Sequence, residues 1–122
     1  MKKVYMNELA NILNINESAL RYYDSKGILP KVQRDENNYR FIDFEDLDYP
    51  KTVICLKKTG MSLKDIKKYL YYVEQGDSSI KVRYEMILNQ EKMVLNKLKN
   101  IQEEIEFIEY KKSFYKNKLE KK

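Results

Sequence analysis

Hydrophobic positions along this chain follow two different rhythms. In the first part they come in short helical groups broken by turns. Met6, Leu9, Ala10 and Leu13 recur at i, i+3, i+4 and i+7, which predicts an amphipathic first helix. Asn14-Ile15-Asn16 is the turn after it, with Asn16 placed to cap the next helix. That second helix is predicted from about Glu17 to Lys26, ending at Gly27. Two short helices joined by about three residues make a helix-turn-helix candidate.

The second helix is polar on one side. Ser18, Arg21, Tyr22 and Ser25 share a face, while Leu20 and Tyr23 turn away from it and are assigned to the interior. A face of hydroxyl, guanidinium and phenol groups with no large aliphatic residue suits a groove of nucleic acid. Pro30 bars any continuation of the helix. Lys31–Arg34 and Tyr39–Ile42 then predict two short strands around the turn Asp35-Glu36-Asn37-Asn38, a basic hairpin or wing. Asp43 is placed to cap a third helix, with Asp46 three residues on. Pro50 within that helix predicts a kink or break, and Gly60 ends it. Ser62 and Asp65 form a second capping pattern, opening a fourth helix with Leu63, Ile66, Leu70 and Val73 on one face.

Residues 74–79 are rich in turn formers and read as a linker between a domain at 1–73 and a helix at 80–122. Beyond the linker the rhythm changes. From Ile80 to Leu119 there is neither Gly nor Pro, and apolar residues step by threes and fours. Ile80, Tyr84, Ile87, Val94, Leu98, Ile101, Ile105, Ile108, Tyr115 and Leu119 define a heptad seam interrupted by Glu91 and Lys112. About 40 helical residues span about 60 Å, more than a small core can cover. The seam therefore predicts a coiled coil with a second chain, and the contacts assigned to it are Ile87, Val94, Leu98, Ile101, Ile105, Ile108, Tyr115 and Leu119. The pattern alone leaves the strand orientation open.

Composition narrows the chemistry. The chain has 24 Lys and Arg against 19 Asp and Glu, a net charge of +5, which is mildly basic and does not by itself establish a nucleic-acid partner. There is no His and a single cysteine, Cys55, so the sequence holds no disulfide framework, no multi-cysteine metal site and no nucleophile–base constellation. Neither a metal nor a cofactor is expected, and the chain is not expected to be an enzyme. No apolar run reaches the length of a membrane span, and the start carries no secretory signal; a bacterial cytoplasm is the expected compartment. The other readings of this pattern are an adaptor that docks proteins through its winged domain and coiled coil, and a repressor that simply occludes its site.

Taken together, MNELA, LRYYDSKGILP, RDENNYRF and TGMSLKDIKKYL resemble, in order and spacing, the MerR family of bacterial transcription regulators. The likeness runs from Met6 to Leu70, slightly more than half the chain. It departs from the family at Asn38, where Gly is usual, and at Pro50. The resemblance implies a mainly α protein, with a winged helix-turn-helix DNA-binding domain and a long dimerisation helix in an antiparallel coiled coil. No effector-binding domain is expected after that helix. It implies that Ser18, Arg21 and Tyr22 face the major groove and that Arg34, Tyr39 and Arg40 hold the backbone. Met61-Ser62-Leu63-Lys64 matches a second wing, with Ser62 and Lys64 at a phosphate. It further implies a homodimer on a pseudo-palindromic promoter whose spacer is bent and untwisted for RNA polymerase. Cys55 is open to two readings, a small core residue or a thiol sensor. Its helical neighbours Lys51, Lys58 and Thr59 are polar, and nearby ammonium groups favour a thiolate. The resemblance to short relatives that respond to aldehydes or other electrophiles makes Cys55 the candidate effector-sensing residue.

Overall fold

The computed structural model describes residues 1–121. Its elements run β1 (Lys3–Tyr5), α1 (Met6–Leu13), α2 (Glu17–Ser25), β2 (Gln33–Arg34), β3 (Arg40–Asp43), α3 (Asp48–Lys58), α4 (Leu63–Glu74) and α5 (Ile80–Glu120). Two compact units are distinguished, Met1–Tyr84 and a second beginning at Glu85. The fold is mainly helical, a winged helix-turn-helix followed by a long helix.

The first unit is built on the predicted apolar groups. Met6, Leu9, Ala10 and Leu13 of α1, Leu20 of α2 and Val53, Ile54 and Leu56 of α3 form one buried cluster with Ile28, Ile42 and Ile66. Leu9, Leu20, Val53 and Ile66 have no exposed surface, so each contributes the full transfer term of an aliphatic side chain, about 1.5–3 kcal/mol. Tyr23 is half-buried and packs against this cluster. Asn14 closes α1 in the left-handed region at φ 55, a conformation that Asn tolerates. Asn16 sits at the cap of α2 but its side chain makes no capping bond; the α2 start is held instead by the backbone bond from Leu20 N to Asn16 O at 3.2 Å.

Three strands form an antiparallel sheet in the order β1-β3-β2. Val4 pairs with Ile42 and Tyr5 with Phe41, while Gln33 pairs with Phe41 and Arg34 with Arg40. The first strand candidate, 31–34, shrinks to two residues because Lys31 takes φ 74 and belongs to the turn after Pro30. β1 was invisible as a strand: three residues are too few for alternation to register. It exists because Val4, 1% exposed, is drawn into the core beside Ile42.

Pro50 does not kink a helix. Asp43 caps a short 3-10 turn, Phe44–Asp46, by accepting from Glu45 N at 3.1 Å. The α-helix starts after it, at Asp48, so Pro50 lies in the first turn, where its missing N–H has no intrahelical role. The break falls ahead of the proline, and the ring itself is buried. At the other end Gly60 takes φ +94, and Ser62 caps α4 by accepting from Asp65 N at 3.1 Å.

Residues 74–79 contain a 3-10 turn, Gly76–Ser79, closed by polar bonds. The buried Ser79 hydroxyl sits between the carbonyls of Tyr72 and Gly76, which share its one proton, and Arg83 Nε donates to its Oγ at 2.9 Å. Arg83 Nη2 also donates to Gly76 O at 2.9 Å. In the second unit α5 continues as one unbroken helix of 41 residues in all. Ile87, Val94, Leu98, Ile101, Ile105, Ile108, Tyr115 and Leu119 are all exposed along it. No described helix is long and apolar enough to cross a membrane.

Candidate nucleic-acid interface

The sequence places the polar face of α2 outward by burying the opposite one. With Leu20 fully buried, Ser18, Arg21 and Tyr22 are exposed. Ser25, the fourth residue of the stripe, donates to Tyr22 O at 2.6 Å and so bonds its own helix. Arg21 Nη2 lies 3.3 Å from Glu17 Oε1 one turn back. Both side chains are about half exposed, and such surface pairs are worth at most about 1 kcal/mol, so a phosphate or base edge can take the guanidinium over.

Beside this face lies a cleft of about 310 Å³. Arg21, Arg34, Tyr39 and Arg40 line it with Tyr5, Met6, Asn7, Glu17 and Asn38. Four of the residues singled out from the sequence are thus gathered from α2 and the wing. Ser18 and Tyr22 are on α2 outside the cleft lining. Ser62 is the cap of α4 and Lys64 lies in its first turn; both are exposed, and the Ser62 hydroxyl already serves as the cap.

The wing turn is ordered by Asp35. Its Oδ1 accepts from Asn37 N and from Tyr39 N, both at 2.9 Å, and its Oδ2 accepts from Tyr5 OH at 3.0 Å. Backbone bonds from Asp35 N to Tyr39 O and from Asn38 N to Asp35 O, both 2.9 Å, close the loop. Asn38 takes φ 67, the left-handed conformation that Gly would adopt without cost. Arg34 Nη1 donates to Asn38 O at 3.0 Å. The bond from Tyr39 N holds the Asp35 carboxyl below its ordinary value of 3.8, against a contrary effect of desolvation and with further help from Tyr5, Asn37 and Lys3. The same hydrogen bond to Asp35, with desolvation and the nearby acidic charge, raises Tyr5 above 10.0.

Arg40 differs from the other wing residues. It is only partly exposed, and its Nε lies 3.0 Å from Asp24 Oδ2 on α2. The Nε–H is buried and not directed at a hydrogen-bond acceptor, so the contact is one of charge. Tyr39, by contrast, is 64% exposed at the tip.

Tyr5, Asn7, Asp24 and Asp35 are site residues that the sequence reading passed over. Asp35 has a legible signal, an Asx residue opening a tight turn. Tyr5 and Asp24 have none, because their partners lie 30 and 16 positions away in the chain. Cys55 is exposed on α3, next to exposed Lys51 and Lys58. Within the single chain Cys55 is not part of the core, since α3 buries Val53, Ile54 and Leu56 instead. Among the described residues no group of His, Cys, Asp and Glu is arranged to hold a metal ion.

Comparison with known proteins bears on this surface. Residues 5–73 match the MerR HTH family regulatory proteins. An uncharacterized HTH-type transcriptional regulator of Haemophilus influenzae is 41% identical over 107 residues, covering 87% of this chain and 78% of the relative. The HTH-type transcriptional regulator AdhR of Bacillus subtilis is 25% identical over 72% of this chain and 63% of its own length. Among solved structures, HiNmlR, a MerR family regulator lacking the sensor domain, bound to promoter DNA, superposes with a TM-score of 0.79 at 35% identity. That match covers 95% of this chain and 92% of the other. A MerR family regulator of Bacillus thuringiensis superposes with a TM-score of 0.80 at 31% identity, over 90% of this chain and 96% of that one. The cleft and the exposed face of α2 are therefore parts of a DNA-binding transcriptional regulator: the chain belongs to the MerR family.

Proposed function

We propose that the chain binds a pseudo-palindromic promoter as a homodimer and controls transcription by distorting the spacer DNA between the two contacted halves. The observation that carries this reading is the cleft that gathers Arg21, Arg34, Tyr39 and Arg40 beside the exposed face of α2. α2 enters the major groove, with Arg21 at a base edge or phosphate and Ser18 and Tyr22 beside it. Arg34, Tyr39 and Arg40 fix the backbone, and Ser62 and Lys64 hold a second phosphate near the start of α4.

In this reading residues 1–73 are the reading domain, 74–79 the connection and 80–122 the dimerisation helix. Two chains pair along the apolar seam of α5, which presents two heads related by a two-fold axis to two half-sites. HiNmlR, whose structure is bound to promoter DNA, supports the choice of target. Deforming a spacer costs roughly 1–10 kcal/mol, according to the sequence deformed. A regulator that shifts this balance presents the promoter to RNA polymerase in a different shape while staying bound. The effector in this reading is a thiol-reactive electrophile such as an aldehyde. The Cys55 sulfur adds to the carbonyl carbon and the thiol proton ends on the carbonyl oxygen. The exposure of Cys55 supports this part.

Selection of bound duplexes from a random library, followed by footprinting, tests the reading. The expected product is a two-fold symmetric motif whose central base pairs become hypersensitive on binding. An asymmetric motif overturns the homodimer, and a motif with an undistorted centre reduces the protein to an occluding repressor. Arg21→Ala is expected to cost about 1–3 kcal/mol of affinity and to relax the preference at one position of the motif.

A further inference from the structure

Arg40 is less exposed than Arg34 and Tyr39, and its charge is met by Asp24. The contact between them joins α2 to β3, elements separated by the whole wing turn. Each side chain is 22% exposed. The pairs Arg21–Glu17 and Lys112–Glu109 stay within one helix and are 42% to 67% exposed. In addition, Arg40 Nε is buried with no hydrogen bond of its own. A buried guanidinium nitrogen in that state is tolerated only while a negative charge stands next to it. The four remaining guanidinium N–H donors are on the two Nη nitrogens, and Arg40 lines the same cleft as Arg21, Arg34 and Tyr39.

We propose that Asp24 is a positioning residue for DNA recognition, a role that rests on the DNA-reading function assigned above. Its carboxylate anchors the Nε edge of Arg40, which leaves the Nη edge to meet DNA, and it makes α2 and the wing one body. Asp24 touches no DNA. A carboxylate this close to the interface repels phosphates, so a mere surface aspartate here weakens every DNA complex. A positioning aspartate strengthens the specific complex alone, because only that complex needs Arg40 and α2 in fixed register.

These two roles give opposite signs in one measurement. The probes are a duplex recovered by the library selection and a scrambled duplex of equal length, at one salt concentration. Asp24→Asn is expected to weaken the selected duplex up to about sixfold and to leave the scrambled one unchanged or slightly tighter. Arg40→Gln is also expected to weaken the selected duplex about tenfold. The double variant Asp24→Asn/Arg40→Gln is expected to lose no more than Arg40→Gln alone, because Asp24 acts through Arg40. Circular dichroism at the binding temperature checks that each variant is folded. Where Asp24→Asn is unfolded, Asp24→Glu replaces it: the charge is kept and the anchor moved, with the same expected loss of specific binding. Losses that multiply in the double variant, or an equal loss on both duplexes, overturn the proposal. Failure to recover any duplex overturns the DNA-reading function itself, so the two failures are distinguishable.

Discussion

The apolar seam of α5 offers the most direct quantitative test. The eight seam side chains assigned as contacts, from Ile87 to Leu119, are between 38% and 71% exposed in the single chain. Fully burying an aliphatic or aromatic side chain gains about 1.5–3 kcal/mol, so about half of that, roughly 1 kcal/mol, is still available at each position. Across two helices the gross gain is on the order of 16 kcal/mol. Association costs about 4–15 kcal/mol; a cost of about 4–8 kcal/mol, at the lower end of that range, leaves a dimer in the nanomolar to micromolar range. Ile101→Glu removes one such contribution from each chain and places two carboxylates in an apolar seam. Together these cost on the order of 4 kcal/mol, a weakening of about a thousandfold. Sedimentation velocity across a concentration series measures it: the wild type is expected to be dimeric and Ile101→Glu monomeric, with lower helicity. Lys99→Glu, off the seam, is expected to change little. An Ile101→Glu variant with the wild-type dimer constant refutes the assignment of the seam.

Other expectations concern the core, the wing and the thiol. Leu20 is fully buried behind the face of α2, so Leu20→Ala is expected to cost about 2–5 kcal/mol, readable as a fall in the thermal midpoint of the first unit. Asp35 is held below 3.8 and Tyr5 above 10.0 in the folded chain. The stabilisation from Asp35 is complete above 3.8 and lost as pH falls through its lowered value; that from Tyr5 is complete below 10.0 and lost as pH rises through its raised value. Amide exchange at Asn37 and Tyr39 is therefore expected to show an intact wing between these limits and opening outside them, and Tyr5→Phe is expected to abolish the alkaline limb. Cys55→Ser is expected to keep promoter binding and lose the aldehyde response; a variant that responds as the wild type does removes Cys55 from the mechanism.

Much of this fold was legible because local chemistry and tertiary packing agree. The i, i+3, i+4 pattern of Met6 to Leu13 is the buried face of α1, and Ser62 caps α4 as its spacing with Asp65 implies. Where local signals misled, a non-local contact decided. β1 forms because Val4 reaches the core and pairs with Ile42, 38 positions away. Pro50 predicts a kink or a break in a helix capped by Asp43; Asp43 caps a 3-10 turn, and the break falls ahead of the proline. The wing was predicted from its turn residues, and its Arg34, Tyr39 and Arg40 line one cleft. Part of what holds them there was hidden: the turn role of Asp35 is legible, but Tyr5 and Asp24 act across the chain through single oxygen atoms that leave no periodic trace.

Those hidden residues raise an electrostatic question that the basic ones do not. A surface meant for phosphates gains from every cation, yet Glu17 lines the cleft and two more carboxylates, Asp24 and Asp35, hold residues that line it. For Asp24 the balance can be weighed. A carboxylate and a phosphate about 10 Å apart in water repel by about 0.4 kcal/mol, and salt reduces this further. Leaving a long side chain unordered until binding costs about 0.5–1.5 kcal/mol for each one immobilised. Fixing Arg40 in advance thus outweighs the repulsion, and the advantage falls to the specific complex, while the repulsion falls on all complexes alike. The repulsion lowers bulk affinity and leaves the ratio of affinities unchanged, so discrimination comes from the fixing of Arg40 alone. The exposed face of α2 supplies the groups that touch DNA; the acidic residues behind it decide whether touching depends on sequence.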